Sequence, residues 1–393
     1  MKRIGIYGGM FNPPHVGHMG VVRSALEKLK LQELVVIPAN CHPGKAEVSS
    51  FPTAKQRLEM TCLAVGGIPG VTVSDMEVCR GGISYTDETV AELKKQHPDD
   101  ELVLILGSDK FLTFTQWRNW EQIIKNAVLG VFYRGGKNEQ TLVEEQKTIV
   151  EAAGGQVILV DNPVAEISST DVRRLLAFCS AGEVVPESIQ QYIVDNNLYG
   201  SNEFSTNLTP EQLELKVISL LKPNRIKHVL GCRDTAVALA RHWGDDETNA
   251  LRAGLLHDIT KALDGPLQLT LCRAHGIVLD EFSQKNLKIL HALTGAVVAE
   301  RIFGENSAVV SAIESHTTGK KDMTLLEKII YVADYMEPNR TFNGVEEMRE
   351  LAFSDIDQAL KMGLEMTIQV LKEQGREISG RSAEALRWLD EYK

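Results

Sequence analysis

Two histidines three positions apart, His15 and His18, end the run Gly8-Gly9-Met10-Phe11-Asn12-Pro13-Pro14-His15-Val16-Gly17-His18. A glycine turn and paired imidazoles ahead of a helical pattern suit phosphate chemistry. Backbone N–H groups at a helix start point outward, and the helix dipole favours an anion there. Gly8 and Gly9 let the backbone approach a ligand closely. Phe11 and Asn12 lie in the same loop and are counted with the binding residues. If both histidines sit in the first helical turn they share a face, where they can hold phosphate oxygens. A second cluster is Ile167-Ser168-Ser169-Thr170-Asp171-Val172-Arg173. Its hydroxyl residues open a helix, with Arg173 one turn in. Alone it is an ordinary N-cap. Beside the first run it makes a second grip, one for the reacting phosphate and one for a leaving pyrophosphate.

A third set lies in the second half. His228, the pair His257-Asp258, His291, His316 and Asp334 all fall in apolar helical runs. Imidazoles and carboxylates there are costly unless paired or bound to a metal. This mixture of N and O donors suits iron, manganese or zinc. Lys261 follows Asp258 by three residues, on the same face if a helix continues. His242 and His275 stand among polar residues and read as surface groups.

The elements that must position these groups differ between the halves. Apolar runs at 4–7, 33–37, 71–74, 102–106, 127–133 and 156–160 alternate with helical patterns, among them 19–30, 54–65, 86–96 and 117–125. Thr53 and Gln56 form a capping box. Such alternation predicts a doubly wound α/β fold with a parallel sheet, whose ligands bind beyond the carboxyl ends of the strands. Lys45 follows the second run and could reach a phosphate or simply be a surface lysine. Ser84, Tyr85 and Thr86 could bind a polar ring or cap the next helix. Asp109, after Gly107, faces the cleft or caps. Trp117 stacks on a flat ring or joins the core. Arg134 follows the fifth run. The polar stretch 201–210 reads as a linker, and Thr209-Pro210-Glu211-Gln212 starts a helix. Beyond it strand signals vanish, and 211–393 reads as an all-α domain.

With 393 residues there is room for two such domains. The net charge of −11 argues against a dedicated nucleic-acid binder. Six scattered cysteines without a Cys-x-x-Cys pair argue against a zinc ribbon or disulfide framework, and point to a reducing cytoplasm. No apolar run approaches the roughly 18 residues of a membrane span, and no secretory h-region opens the chain.

Residues 1 to about 200 resemble bacterial nicotinate mononucleotide adenylyltransferases. The resemblance rests on GGMFNPPHVGH, SYTDETV, LILGSDKF with Trp117, FYRGG, ISSTDVRRLL and YIVDNNLY. It implies transfer of AMP from ATP, with magnesium, to nicotinate mononucleotide. It assigns His15 and His18 to the ATP phosphates, and Ser168, Ser169, Thr170 and Arg173 to the triphosphate. It assigns Ser84, Tyr85, Thr86 and Trp117 to nicotinate mononucleotide, and Gly107 and Asp109 to adenosine. One departure is His42-Pro43-Gly44-Lys45, where that family usually reads Pro-Pro-His-Lys. Pantetheine phosphate and nicotinamide mononucleotide stay open as rival acceptors.

Residues 212 to about 376 resemble HD-superfamily metal-dependent phosphohydrolases, nearest the YqeK-type symmetrical diadenosine tetraphosphate hydrolases. AGLLHDITK, SHTTG and YVADYMEPNR carry the resemblance. It implies two iron ions held by His228, His257, Asp258, His291, His316 and Asp334, with Asp258 bridging and Lys261 steadying a phosphate or water. The product would be two ADP. A different phosphate ester, or a metal-binding module without turnover, stays open for this half, as does a homo-oligomeric state.

Overall fold

β-Branched and leucine-rich runs form six strands in the first half: β1 (Arg3–Gly9), β2 (Glu33–Pro38), β3 (Val71–Val73), β4 (Glu101–Gly107), β5 (Ala127–Tyr133) and β6 (Val157–Asp161). They pair in parallel in the order β3-β2-β1-β4-β5-β6. This is the predicted doubly wound sheet. The computed structural model describes residues 1–43, 52–133, 137–161, 167–201 and 205–391. Lys45 and Arg134 lie outside the described residues.

β1 stands between β2 and β4, where the winding reverses. Its C-terminal end therefore opens on the crevice where such sheets bind ligands. Ile4, Ile6, Val35, Leu102, Leu104 and Leu129 fill the core under that end. Helices α1 (Val16–Lys28), α2 (Ala54–Val65), α3 (Thr86–Gln96) and α4 (Ser169–Ala177) carry the conspicuous motifs. The Thr53–Gln56 capping box forms as predicted. α1 starts at Val16 rather than near Met19, because His15 is its N-cap.

The second unit is helical. It contains α5 (Pro223–Trp243), α6 (Glu247–Leu256), α7 (Leu290–Arg301), α8 (Ser307–Ser315) and α9 (Leu325–Met336). Thr209 caps the helix that opens at Pro210, with Gln212 completing the box. Contacts divide the chain into two compact units, Met1–Ala177 with Ala181–Asn202, and Phe178–Ser180 with Glu203–Lys393. No helix among the described residues is long and apolar enough to cross a membrane.

Candidate functional site

His15 and His18 do not share a helical turn as expected, since His15 caps α1 from outside it. Their rings nonetheless stack, with centroids 3.8 Å apart. The backbone N–H of His15 donates to Nδ1 of His18 at 3.3 Å. A neutral imidazole that accepts at Nδ1 carries its proton on Nε2, so His18 has an Nε2–H to offer an oxyanion. Gly17 makes this packing feasible: a Cβ there would lie 3.0 Å from Nδ1 of His15. Phe11 is buried and meets His18 edge-on, with centroids 5.0 Å apart. That contact packs Phe11 against the histidine.

The helix starts of α1 and α4 are joined across 156 residues of sequence. Ser169 donates its hydroxyl to the carbonyl of Pro13 at 3.2 Å. Arg173 donates from Nη1 to the carbonyl of Asn12 at 2.7 Å and from Nη2 to the Thr170 hydroxyl at 3.0 Å. Ser168 donates its hydroxyl to the Asp171 carboxylate at 2.6 Å. Burial lowers the Arg173 pKa, with Tyr199 opposing, but a guanidinium stays charged.

Ser84 and Tyr85 lie just ahead of α3. Tyr85 is the N-cap of α3, and no side chain caps that helix. Ser84 instead accepts the Asn40 N–H at 3.0 Å on its hydroxyl and donates its own N–H to the Cys41 carbonyl at 2.8 Å. Thr86 is the first residue of α3. The Arg118 guanidinium lies 3.8 Å over the Tyr85 ring and is itself held by Asp87 at 2.9 Å. Asp109 is exposed in the first turn after Gly107, which is the N-cap, so the capping alternative for Asp109 fails. Trp117 is half-buried against Phe114 and extended. The helix expected from Trp117 begins at Trp120, because Asn119 adopts a left-handed φ of 50° as its N-cap.

Arg57 was not legible as a site residue. It is buried, and its guanidinium donates to the carbonyls of Met10 at 3.0 Å, Ala39 at 2.5 Å and Asn40 at 2.7 Å. It thus ties the loop after β1 to the loop after β2. Its spacing with Met60, Thr61 and Ala64 was the available signal, since that is the buried face of α2.

In the second unit the expected ligands converge. Nε2 of His228 and His257 lie 3.2 Å apart, and so do Nε2 of His291 and His316. Asp258 stands between the pairs. Its Oδ2 is 3.7 Å from His228 and 3.6 Å from His257; its Oδ1 is 3.4 Å from His291 and 3.7 Å from His316. Asp334 Oδ1 adds to the first pair, 3.1 Å from His228 Nε2. Lys261 is not on a helix with Asp258, because α6 ends at Leu256 and i→i+3 turns follow, one of them Lys261 N–H to Asp258 carbonyl at 2.9 Å. Its Nζ reaches His291 Nε2 at 2.8 Å. Burial lowers Lys261 to about 8. His242 is exposed and His275 half-buried.

The donor chemistry fits metal ions. His257, His291 and His316 direct Nδ1 at the carbonyls of Gly254, Lys288 and Ile313, at 2.8, 2.8 and 2.6 Å. Donating there leaves each Nε2 unprotonated with its lone pair turned inward, that of His291 facing the Lys261 ammonium. Burial holds His257 and His291 well below the ordinary histidine range and brings His316 to about 4, so these rings are neutral. Buried lone pairs that face each other call for a cation. Burial pushes the Asp334 carboxyl up, but the His228 hydrogen bond and the Arg340 guanidinium, 2.8 Å away, outweigh it, so it stays ionised. Sequence reasoning missed Arg225, which pairs with Asp258, Arg340, 2.8 Å from Asp334, and Glu337, 3.1 Å from Nδ1 of His228.

Residues 6–175 match the cytidylyltransferase-like family, and residues 225–339 match the HD domain family. A Carboxydothermus hydrogenoformans protein named "probable nicotinate-nucleotide adenylyltransferase" is 35% identical over 198 residues, which cover 50% of this chain and 98% of that protein. The first half of the chain belongs to the nicotinate-nucleotide adenylyltransferase family. The second half contains an HD domain. A Mycoplasma pneumoniae protein named "probable nicotinate-nucleotide adenylyltransferase/Ap4A hydrolase" is 27% identical over 93% of this chain and 98% of its own length. A crystal structure of a predicted HD superfamily hydrolase involved in NAD metabolism, from Clostridium acetobutylicum, is 38% identical, covering 47% of this chain and 99% of that one, with a TM-score of 0.46.

Proposed function

We propose that this chain is a bifunctional enzyme, with a transferase in residues 1–200, a linker at 201–210 and a hydrolase in 211–393. The first activity moves AMP from magnesium-bound ATP to nicotinate mononucleotide. A phosphate oxygen of the mononucleotide bonds to the α-phosphorus, the α–β bridging P–O bond breaks, and pyrophosphate leaves with the bond's electrons. A phosphate nucleophile needs no general base, so catalysis is positioning and charge stabilisation. His15 and His18 hold the reacting phosphate, while Arg173, Ser168, Ser169 and Thr170 hold the departing one. Tyr85 and Trp117 flank the pyridine, with Ser84 and Thr86 nearby. Gly8, Gly9 and Asn12 line the phosphate loop, Gly107 and Asp109 meet the adenosine, and Lys45 and Arg134 supply further charge. The observation that carries the reading is the bonding of Ser169 and Arg173 to Pro13 and Asn12, which brings the two helix starts together.

The second activity is symmetrical hydrolysis of diadenosine tetraphosphate. His228, His257 and Asp334 would hold one metal ion, His291 and His316 the other, with Asp258 shared. Bound there, two ions supply an activated water and charge stabilisation; iron fits the donor set. Water bonds to one of the two central phosphorus atoms, the central bridging P–O bond breaks, and two ADP leave. Arg225, Lys261 and Arg340 surround the carboxylates and suit a polyphosphate chain. Six free cysteines fit a reducing cytoplasm.

The test is product analysis with the full chain. ATP with nicotinate mononucleotide should give the dinucleotide and pyrophosphate; turnover only with pantetheine phosphate or nicotinamide mononucleotide would replace the acceptor. Diadenosine tetraphosphate should give ADP alone. AMP and ATP as products would refute symmetrical cleavage, and a metal-loaded protein that cleaves no nucleotide would favour a regulatory module.

A further inference from the structure

Three of the four inward-facing histidines are oriented by their own chain. His257 and His316 follow the last residues of α6 and α8 and use the carbonyls of Gly254 and Ile313, in the last turns of those helices. His291, second residue of α7, uses Lys288 in the turn before it. His228 has no such recourse. It lies inside α5, where the carbonyl three residues back belongs to the helix ladder. Its Nδ1 turns instead to Oε1 of Glu337 at 3.1 Å.

Glu337 is held for that task. It is 1% exposed. Its Oε2 accepts the Asn339 backbone N–H at 2.7 Å and the Asn339 amide at 2.8 Å, leaving Oε1 toward the ring. Gly231, one turn after His228, makes the room: a Cβ there would stand 2.5 Å from Oε2. A carboxylate behind an imidazole makes it a stronger electron donor than a carbonyl does, and fixes its ring.

We infer that Glu337 is a positioning residue that makes the two metal subsites unequal, the subsite of His228, His257 and Asp334 binding the tighter ion. The inference rests on the two-metal reading of this cluster. The second subsite has carbonyl-backed histidines only, and the Lys261 ammonium lies against His291. Loading is therefore sequential, and a singly loaded protein holds its ion beside His228.

The test uses the full chain freed of metal with a chelator and titrated with Mn2+, bound ions being counted by electron paramagnetic resonance. The wild type should bind two ions with separated affinities. His228→Ala should remove the tighter one and His316→Ala the weaker. Glu337→Gln, nearly isosteric, should weaken the tighter site about 10- to 100-fold and leave the weaker unchanged. Gly231→Ala, which keeps the carboxylate but displaces it, should act in the same direction. A general packing defect would weaken both sites alike. Glu337→Gln and Gly231→Ala titrating as wild type, or weakening both sites alike, would overturn the inference. A wild type that binds no Mn2+, or one ion only, would overturn the two-metal reading itself.

Discussion

Tyr199 donates its hydroxyl to Oδ1 of Asn12 at 2.6 Å, spanning 187 residues of sequence. Tyr199 takes a left-handed φ of 57° between Asn197, at 51°, and Gly200, at 70°. The same Asn12 receives Arg173 on its carbonyl. The closing YIVDNNLY segment therefore anchors the phosphate loop from a third direction. Tyr199→Phe should fold normally and lower kcat for AMP transfer about fivefold to tenfold, with KM for ATP little changed. A neutral-to-neutral hydrogen bond of about 1 kcal/mol sets that scale. Steady-state kinetics with thermal melting decides it; equal kcat would show the bond to be structural only.

Arg57 satisfies three carbonyls, that of Ala39 buried and those of Met10 and Asn40 part-buried. Arg57→Met keeps the stem and leaves those oxygens without donors. At roughly 1–3 kcal/mol for each unsatisfied group, the first unit should lose about 3 kcal/mol or more. Two of the four tryptophans, Trp117 and Trp120, lie in that unit, so urea unfolding followed by fluorescence in a Trp243→Phe, Trp388→Phe background measures this.

The two activities should separate by single substitutions. His18→Ala removes the Nε2–H donor and should reduce AMP transfer about 100- to 1,000-fold, while hydrolysis is unchanged. Asp258→Ala removes the carboxylate between the histidine pairs and should strip metal and abolish hydrolysis, while AMP transfer persists. Elemental analysis beside both assays checks the pair of outcomes. Loss of both activities in either variant would refute separate sites.

Acid should loosen the Tyr85 platform. Burial raises the Asp87 carboxyl, but hydrogen bonds from Asn119 and Arg118 outweigh it, so its pKa is held below the ordinary 3.8. A carboxyl depressed by folding stabilises above its unfolded pKa, and that gain is lost as pH falls through the folded value. The stability gap between wild type and Asp87→Asn should thus be full at pH 6 and shrink below about pH 4. Denaturant midpoints across that range report it.

All six strands and their parallel pairing were legible, because apolar runs between turn residues are read directly from the chain, whereas the strand order came only with the fold. The histidine and aspartate cluster of the second unit was legible too, since such residues in apolar helices stand out. What was hidden depends on long-range partners. Glu337 and Arg340 look like ordinary charges after α9, and only the fold brings them to His228 and Asp334. The expected Lys261–Asp258 helical face failed because His257 ends a helix, and nothing in AGLLHDITK marks that stop. Asn119 in a left-handed conformation displaced the start expected at Trp117 for the same kind of reason: an asparagine in that state is common enough to occur and too rare to assume.

Arg57 has one more consequence. Its donors meet neutral oxygens, and among the described residues no carboxylate forms an ion pair with it. Its charge therefore stays uncancelled beneath the loop after β1. A chain of net charge −11 repels anions at long range, yet this fixed source of positive potential sits in a medium that ions in solution screen poorly. Substrate capture at the phosphate loop should accordingly lose little as salt rises, because the attraction is built into the interior rather than spread over the surface.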